Sequence, residues 1–184
     1  SRGLGDVYKR QYYRGIVSQD LGKDKESKSD MSMHYWLKGR RNENADEIDS
    51  AIENYTKAID LKPDFAVSHF NLGVVFQDKG DFELAIRSYK VALEINPGYL
   101  EAYNNIGSIL HDSGDFKAAI ESYEKILAID PNYSKAHNNM GTALKELGNI
   151  FAMKGDFQNA ITHLEKALHV NAKETENYIC FRHP

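Results

Sequence analysis

Residues 100–133 read LEAYNNIGSILHDSGDFKAAIESYEKILAIDPNY. Tyr103, Ile106, Gly107 and Leu110 fall on one face at helical spacing. Gly114-Asp115 then stops one helix and starts another. Glycine reaches the left-handed conformation that ends a helix, and aspartate caps the first amides of the next. Ala119, Tyr123 and Ile126 stripe the second helix, and Pro131 closes it. The stretch therefore predicts two amphipathic helices.

Working outward, the same marks recur at a period of 34 residues. Pro63, Pro97 and Pro131 keep it, as do Gly39, Gly73, Gly107 and Gly141. Ala51, Ala85 and Ala119 follow it, and so do Tyr55, Tyr89 and Tyr123, and Gly80 and Gly114. Agreement of this many residue types at one period marks an internal repeat. Aligning on the marks gives units at 32–65, 66–99, 100–133 and 134–174. Glycine at the eighth position of a unit and alanine at the twentieth let two helices approach closely, and the aromatics fill the space around them. A single helix pair cannot bury its apolar stripe alone, so the units must stack. The repeated residues are thus packing devices, and no catalytic site is read from them.

This pattern resembles the tetratricopeptide repeat, W-x2-L-G-x2-Y, then A-x3-F, then P. The second unit reads His69-x2-Leu72-Gly73-x2-Phe76, Ala85-x3-Tyr89, Pro97, and the third reads Tyr103-x2-Ile106-Gly107-x2-Leu110, Ala119-x3-Tyr123, Pro131. The resemblance implies an all-α, right-handed superhelical solenoid of antiparallel helix pairs. It also implies a concave groove lined by first helices, and a non-enzymatic scaffold that binds peptides or partner proteins. A second reading makes the chain the substrate-recruiting arm of a larger transferase.

Three units depart from the pattern. In the first, Lys38 and Asn42 replace an apolar and an aromatic residue, the turn reads Asp46-Glu47-Ile48, and Arg40–Asn44 is polar all round. That predicts an end cap or a frayed end. In the third, Ile126 replaces a small residue, which predicts a slightly wider helix crossing. The fourth unit is seven residues longer: Leu147-Gly148 repeats the signature of Met140-Gly141, and Gly155-Asp156-Phe157 arrives late. Seven residues are nearly two turns, so Met140, Leu144, Leu147 and Phe151 share one face. This predicts one continuous helix lengthened by about 10 Å, with a break at Gly148 as the rival. The second helix, from Asp156 to Val170, is expected on its distal half, with Ala172 where a proline is expected.

Residues 1–31 do not fit the repeat. SRGLGDVYKRQ reads as adapter-derived leader, and Lys23–Asp30 as a disordered charged linker. Tyr178 and Phe181 match the fourth and seventh positions of a truncated fifth unit at 175–184. The uncapped last unit predicts weak self-association.

Composition narrows the function classes. Against 23 Lys plus Arg stand 27 Asp plus Glu, a net charge of −4, which gives no support to nucleic-acid binding. A mean hydropathy of −0.58 and the lack of a long apolar run predict no membrane span. One cysteine, Cys180, permits no intrachain disulfide and no cysteine-rich metal site. With no apolar leader visible, the expected compartment is the cytoplasm. No catalytic constellation, cofactor loop or metal motif emerges. The N-glycosylation acceptor pattern at Asn54-Tyr55-Thr56 and Asn132-Tyr133-Ser134 lies inside the repeat, and His69 and His137 occupy the fourth, packing position.

The resemblance places positions two, five, six, nine, twelve and thirteen of each first helix in the groove. Asn71, Asn105 and Asn139 are then equivalent, with Asn104 and Asn138 beside the last two. Each amide both donates and accepts, so a row of them suits the backbone of an extended peptide. It is similar to the asparagine ladder of O-linked N-acetylglucosamine transferases. Phe70 and Val74 add an apolar patch that Trp36 extends, and His111, Asp112 and Lys135 add charge, with Asp78, Lys145 and Glu146. The second and third units carry five basic and ten acidic residues, which favours a basic or mixed peptide. The carboxylate clamp of chaperone-binding relatives is not rebuilt. Its five positions hold Trp36, Arg40, Asn71, Glu101 and Asn105, or, one unit later, Phe70, Val74, Asn105, Lys135 and Asn139.

Overall fold

The small residues of the repeat set its helix spacing. At the eighth position an added Cβ would lie 2.6 Å from the Tyr55 ring at Gly39, 2.6 Å from Tyr89 at Gly73 and 2.5 Å from Tyr123 at Gly107. A tyrosine sixteen residues further on therefore lies flat against bare backbone in three successive units. All three rings are buried.

A computed structural model describes residues 10–14, 16, 24–45 and 47–180. From Asp24 onward its helices are α1 (Asp24–Asn44), α2 (Ile48–Leu61), α3 (Ala66–Lys79), α4 (Phe82–Ile95), α5 (Leu100–Asp112), α6 (Phe116–Ile129), α7 (Ser134–Met153) and α8 (Phe157–Cys180). Among the described residues there is no strand. They form two compact halves, Ser1–Pro97 and Gly98–Pro184. In the first half α1 pairs with α2, α2 with α3 and α3 with α4; in the second α5 pairs with α6, α6 with α7 and α7 with α8.

In the first half, Ala51, Tyr55 and Val75 form the core under Trp36, Ile52 and Leu72. In the second, Ala119, Tyr123, Ile126, Ala136 and Ala143 form it under Tyr103, Leu110 and Met140. Turns inside helix pairs close as the sequence predicts. Gly80, Gly114 and Gly155 sit at φ 85°, 84° and 77°, where only glycine is comfortable. At the first of these, Asp81 N–H donates to Phe76 C=O at 2.8 Å, and Gly80 N–H donates to Gln77 C=O at 3.0 Å. Asp115 and Asp156 then accept the backbone N–H of Ala118 and Asn159 at 3.2 Å. His69 and His137 are packing residues whose Nε2 atoms lie 2.9 and 2.8 Å from the carbonyls of Pro63 and Pro131.

Three expectations change. The charged stretch from Asp24 is not a linker but the first turns of α1. Ser27, Ser32 and His34 bury on it, Ser32 Oγ donates to Ala58 C=O at 2.8 Å, and the Arg14 guanidinium lies 3.1 Å from Asp30. Nor does α1 fray at its polar end. Glu43 accepts from the Tyr55 hydroxyl, and Asn42 accepts from Asn54 at 3.1 Å. Finally, α8 runs to Cys180 without a turn, so residues 175–180 extend the fourth unit instead of opening a fifth. With Ala172 in place of proline, nothing stops the helix. The leader 1–9 lies outside the described residues.

The lengthened first helix of the fourth unit, α7, is continuous and unbroken at Gly148. Gly148 is a close-contact position on this helix. A Cβ added at Gly148 would lie 2.9 Å from Leu164, again sixteen residues on, and 3.3 Å from the carbonyl of Ala160. The proximal half of α7 covers α6 with Ala136, Met140 and Ala143, while Gly148, in its distal half, receives α8. Phe157, Ile161 and Leu168 stand forty-one residues after Phe116, Ile120 and Leu127. The earlier three pack under the core beside α7; the later three are 67%, 51% and 71% exposed.

Two predictions follow from the ring-on-glycine contact. Gly107→Ala forces a methyl into a buried ring and should cost about 1–3 kcal/mol in denaturant unfolding. A double-mutant cycle with Tyr123→Leu should reduce that cost, because the ring is the obstacle. Burial, aided by the Asp112 charge, pushes the Tyr123 hydroxyl from 10.0 up to about 12. Burial and then Glu43 raise Tyr55 as well. The unfolded chain releases these protons first. Stability is therefore complete below pH 10 and should fall as pH rises towards 12, with tyrosinate absorbance appearing together with unfolding.

Candidate functional site

Each half presents its own first-helix face. On the first half, Phe70, Asn71 and Val74 come from α3 and are half-buried. The Phe70 ring lies 5.5 Å from Tyr89, so part of this apolar patch leans on its own helix pair. Asn71 Nδ2 donates to the Tyr55 hydroxyl at 3.1 Å, and that hydroxyl donates to Glu43. The amide is thereby held in one orientation. Trp36 lies on α1, with its ring 6.2 Å from Phe65 and the Arg40 guanidinium 5.4 Å from its centre. Its indole N–H is buried without a hydrogen-bond partner.

On the second half the asparagines meet. Asn139 Nδ2, on α7, donates to Asn104 Oδ1, on α5, at 3.1 Å. Asn104 Nδ2 donates to Asn105 Oδ1 at 3.5 Å. The three amides form a chain across two first helices. Asn104 is only 3% exposed, so its place is corrected: it bridges α5 to α7 behind the face instead of lining it. Asn105 and Asn139 stay half-exposed on the face. Asn138 and Lys135 are exposed. His111 and Asp112 close the end of α5. The His111 ring lies 5.2 Å from Phe116 with Nδ1 3.2 Å from Asp112 Oδ1, an arrangement of the helix-pair turn.

Sequence reasoning missed the tyrosine hydroxyls. Tyr55 donates to Glu43, and Tyr89 donates to Gln77 at 2.8 Å; each acceptor stands twelve residues before its tyrosine. The signal was present, since position twelve of these units carries an acceptor and position twenty-four a tyrosine. The hydroxyls fix polar side chains that a groove-facing assignment leaves mobile. No group of three metal-ligating side chains occurs among the described residues, and none of their helices is long and apolar enough to cross a membrane.

Comparison with known proteins matches this geometry. A Tetratricopeptide repeat model matches residues 98–171, and a TPR repeat model matches 46–80 and 76–114. The chain belongs to the tetratricopeptide repeat family. A search of curated proteins finds no match. Among solved structures, this tetratricopeptide repeat chain is similar to MamA, with TM-score 0.62 and 22% identity over 88% of this chain and 96% of that one. It is similar to the first TPR of Spaghetti (RPAP3), a structure bound to the HSP90 peptide SRMEEVD. There the TM-score is 0.61 and the identity 25%, over 65% of this chain and 94% of that one. The Arabidopsis OM64 TPR domain matches at TM-score 0.60 and 21% identity, over 63% and 96% of the two chains. All three are similar in fold to the helix pairs described above.

Proposed function

We propose that this tetratricopeptide repeat chain is a non-catalytic scaffold that binds a partner polypeptide on its first-helix faces. The observation that carries the reading is the amide chain Asn139–Asn104–Asn105. Amides in a hydrogen-bonded chain polarise and orient one another. Their half-exposed ends can pair with the peptide groups of an extended segment without selecting its side chains. Asn71, oriented by Tyr55, plays the same part on the first half beside Phe70 and Val74. The bound segment is basic or mixed in charge, because the second and third units are acidic.

The Spaghetti neighbour supports a polypeptide partner, since its structure holds one. The ligand differs in kind, however. The five positions that would clamp a C-terminal carboxylate here include Glu101 in one register and Val74 in the other. Weak self-association belongs to the same reading and rests on the exposed stripe Phe157, Ile161 and Leu168.

Two measurements check this. A peptide selected from a random array should lose about tenfold in affinity with Asn139→Ala or Asn105→Ala, about 1.4 kcal/mol each, at unchanged helicity. Binding that survives the double change rules the amide face out. Sedimentation velocity should show a concentration-dependent shift that Ile161→Glu removes; a strictly monomeric profile rejects self-association.

A further inference from the structure

The lengthened fourth unit leaves a cleft of about 450 Å³ within the second half, away from the asparagine face. Its floor is Met140, Leu144 and Leu147 of α7, one apolar face of the helix. One wall is α6, with Ile120 above the floor and Lys117, Glu121 and Glu124 along the rim. The other wall is α8, with Val170 low and His163, Lys166 and His169 along the rim. Phe151 stands beside the cleft, its ring centre 5.1 Å from the His163 ring and 5.9 Å from Lys117 Nζ.

We propose that this cleft is a second docking groove, for a partner helix whose apolar stripe is flanked by basic residues on one edge and acidic residues on the other. Three observations support it. The cavity is of ligand-site size and has an apolar floor with charge at the rim. Its walls and floor are helices whose backbone groups are satisfied internally, so it offers an extended peptide no ladder of partners. A helix satisfies its own backbone and presents only side chains. The rims differ in charge: Glu121 and Glu124 outweigh Lys117 on α6, while Lys166 and two histidines line α8. A partner helix with matching edges gains attraction on both sides, and one with two like-charged edges meets repulsion on one.

The seven extra residues make the groove. Gly141–Leu147 lies between the two Leu-Gly or Met-Gly signatures, and its removal returns Gly148 to a spacing of 34 from Gly107. The test uses the full chain and designed fourteen-residue helical peptides with leucine at i, i+3, i+4 and i+7. One peptide carries Lys on one edge and Glu on the other; a second carries Lys on both. By fluorescence anisotropy the mixed peptide should bind the native chain at least about tenfold more tightly than the all-lysine one. Lys166→Glu, which makes both walls acidic, should reverse that order. Deleting Gly141–Leu147 should abolish binding of the mixed peptide while circular dichroism still reports a folded helical chain.

Leu144→Asp removes the floor, and Lys166→Glu provides an exposed change that leaves the core intact should Leu144→Asp unfold. The proposal is overturned if neither peptide binds. It is equally overturned if the Lys166→Glu order does not reverse, or if the folded deletion variant binds as well as the native chain. Loss of peptide binding on changing Asn105 and Asn139 would reassign the peptide to the asparagine face. A dimer that Leu144→Asp dissolves would place a second copy in the cleft, which also overturns the assignment.

Discussion

The structure depends on one contact, a ring laid on a bare backbone. Tyr55, Tyr89 and Tyr123 press on Gly39, Gly73 and Gly107 at distances that exclude a Cβ. The contact sets how closely the two helices of a pair approach. The alanines beside it, Ala51, Ala85 and Ala119, are fully buried for the same reason. Close packing earns its stability from many small dispersion contacts, which a single methyl in the wrong place removes. The contact also has a polar end. Tyr55 and Tyr89 carry their hydroxyls out to Glu43 and Gln77. One side chain thus joins the core to the polar face of its first helix.

That coupling orders the asparagines of the proposed binding face. Asn71 is oriented by Tyr55, and Asn139 by Asn104, so their amides are placed before any partner arrives. Preorganisation of this kind spares a partner the cost of fixing those side chains. The fourth unit follows the same rule with different residues. Leucine replaces tyrosine on Gly148, and no hydroxyl reaches the polar side. The unit that lost the ring is also the one beside the cleft of α6, α7 and α8.

The helices were largely legible in the sequence because each signal acts locally. Left-handed glycine, capping aspartate and closing proline act within a few residues, and the 34-residue period repeats them. The long α7 was legible for the same reason, since seven residues preserve its apolar face. The errors arose where a segment's fate depends on what packs on it. Asp24–Asp30 reads as a solvated run, yet Arg14 and α2 hold that end of α1 in place. The last turns of α8 read as a new unit because periodicity carries no information about whether a turn forms. Asn104 and Asn105 are neighbours in the chain with the same chemistry, and pattern alone could not say which one is buried.

By itself the sequence determined the repeat, its helix pairs, their turns and the acidic character of the central units. Those follow from residue size, backbone freedom and charge, which every residue carries with it. Only the tertiary structure decided that Gly148 takes a close contact with the second helix of its unit. Gly141 and Gly148 follow the same local motif, and only the path of the second helix after the turn at Gly155 brings Leu164 and Ala160 to Gly148. The same packing decided that Asn104 is a bridge and that α6 and α8 leave an apolar floor between them. These are distances between helices, and a distance exists only once the chain has folded.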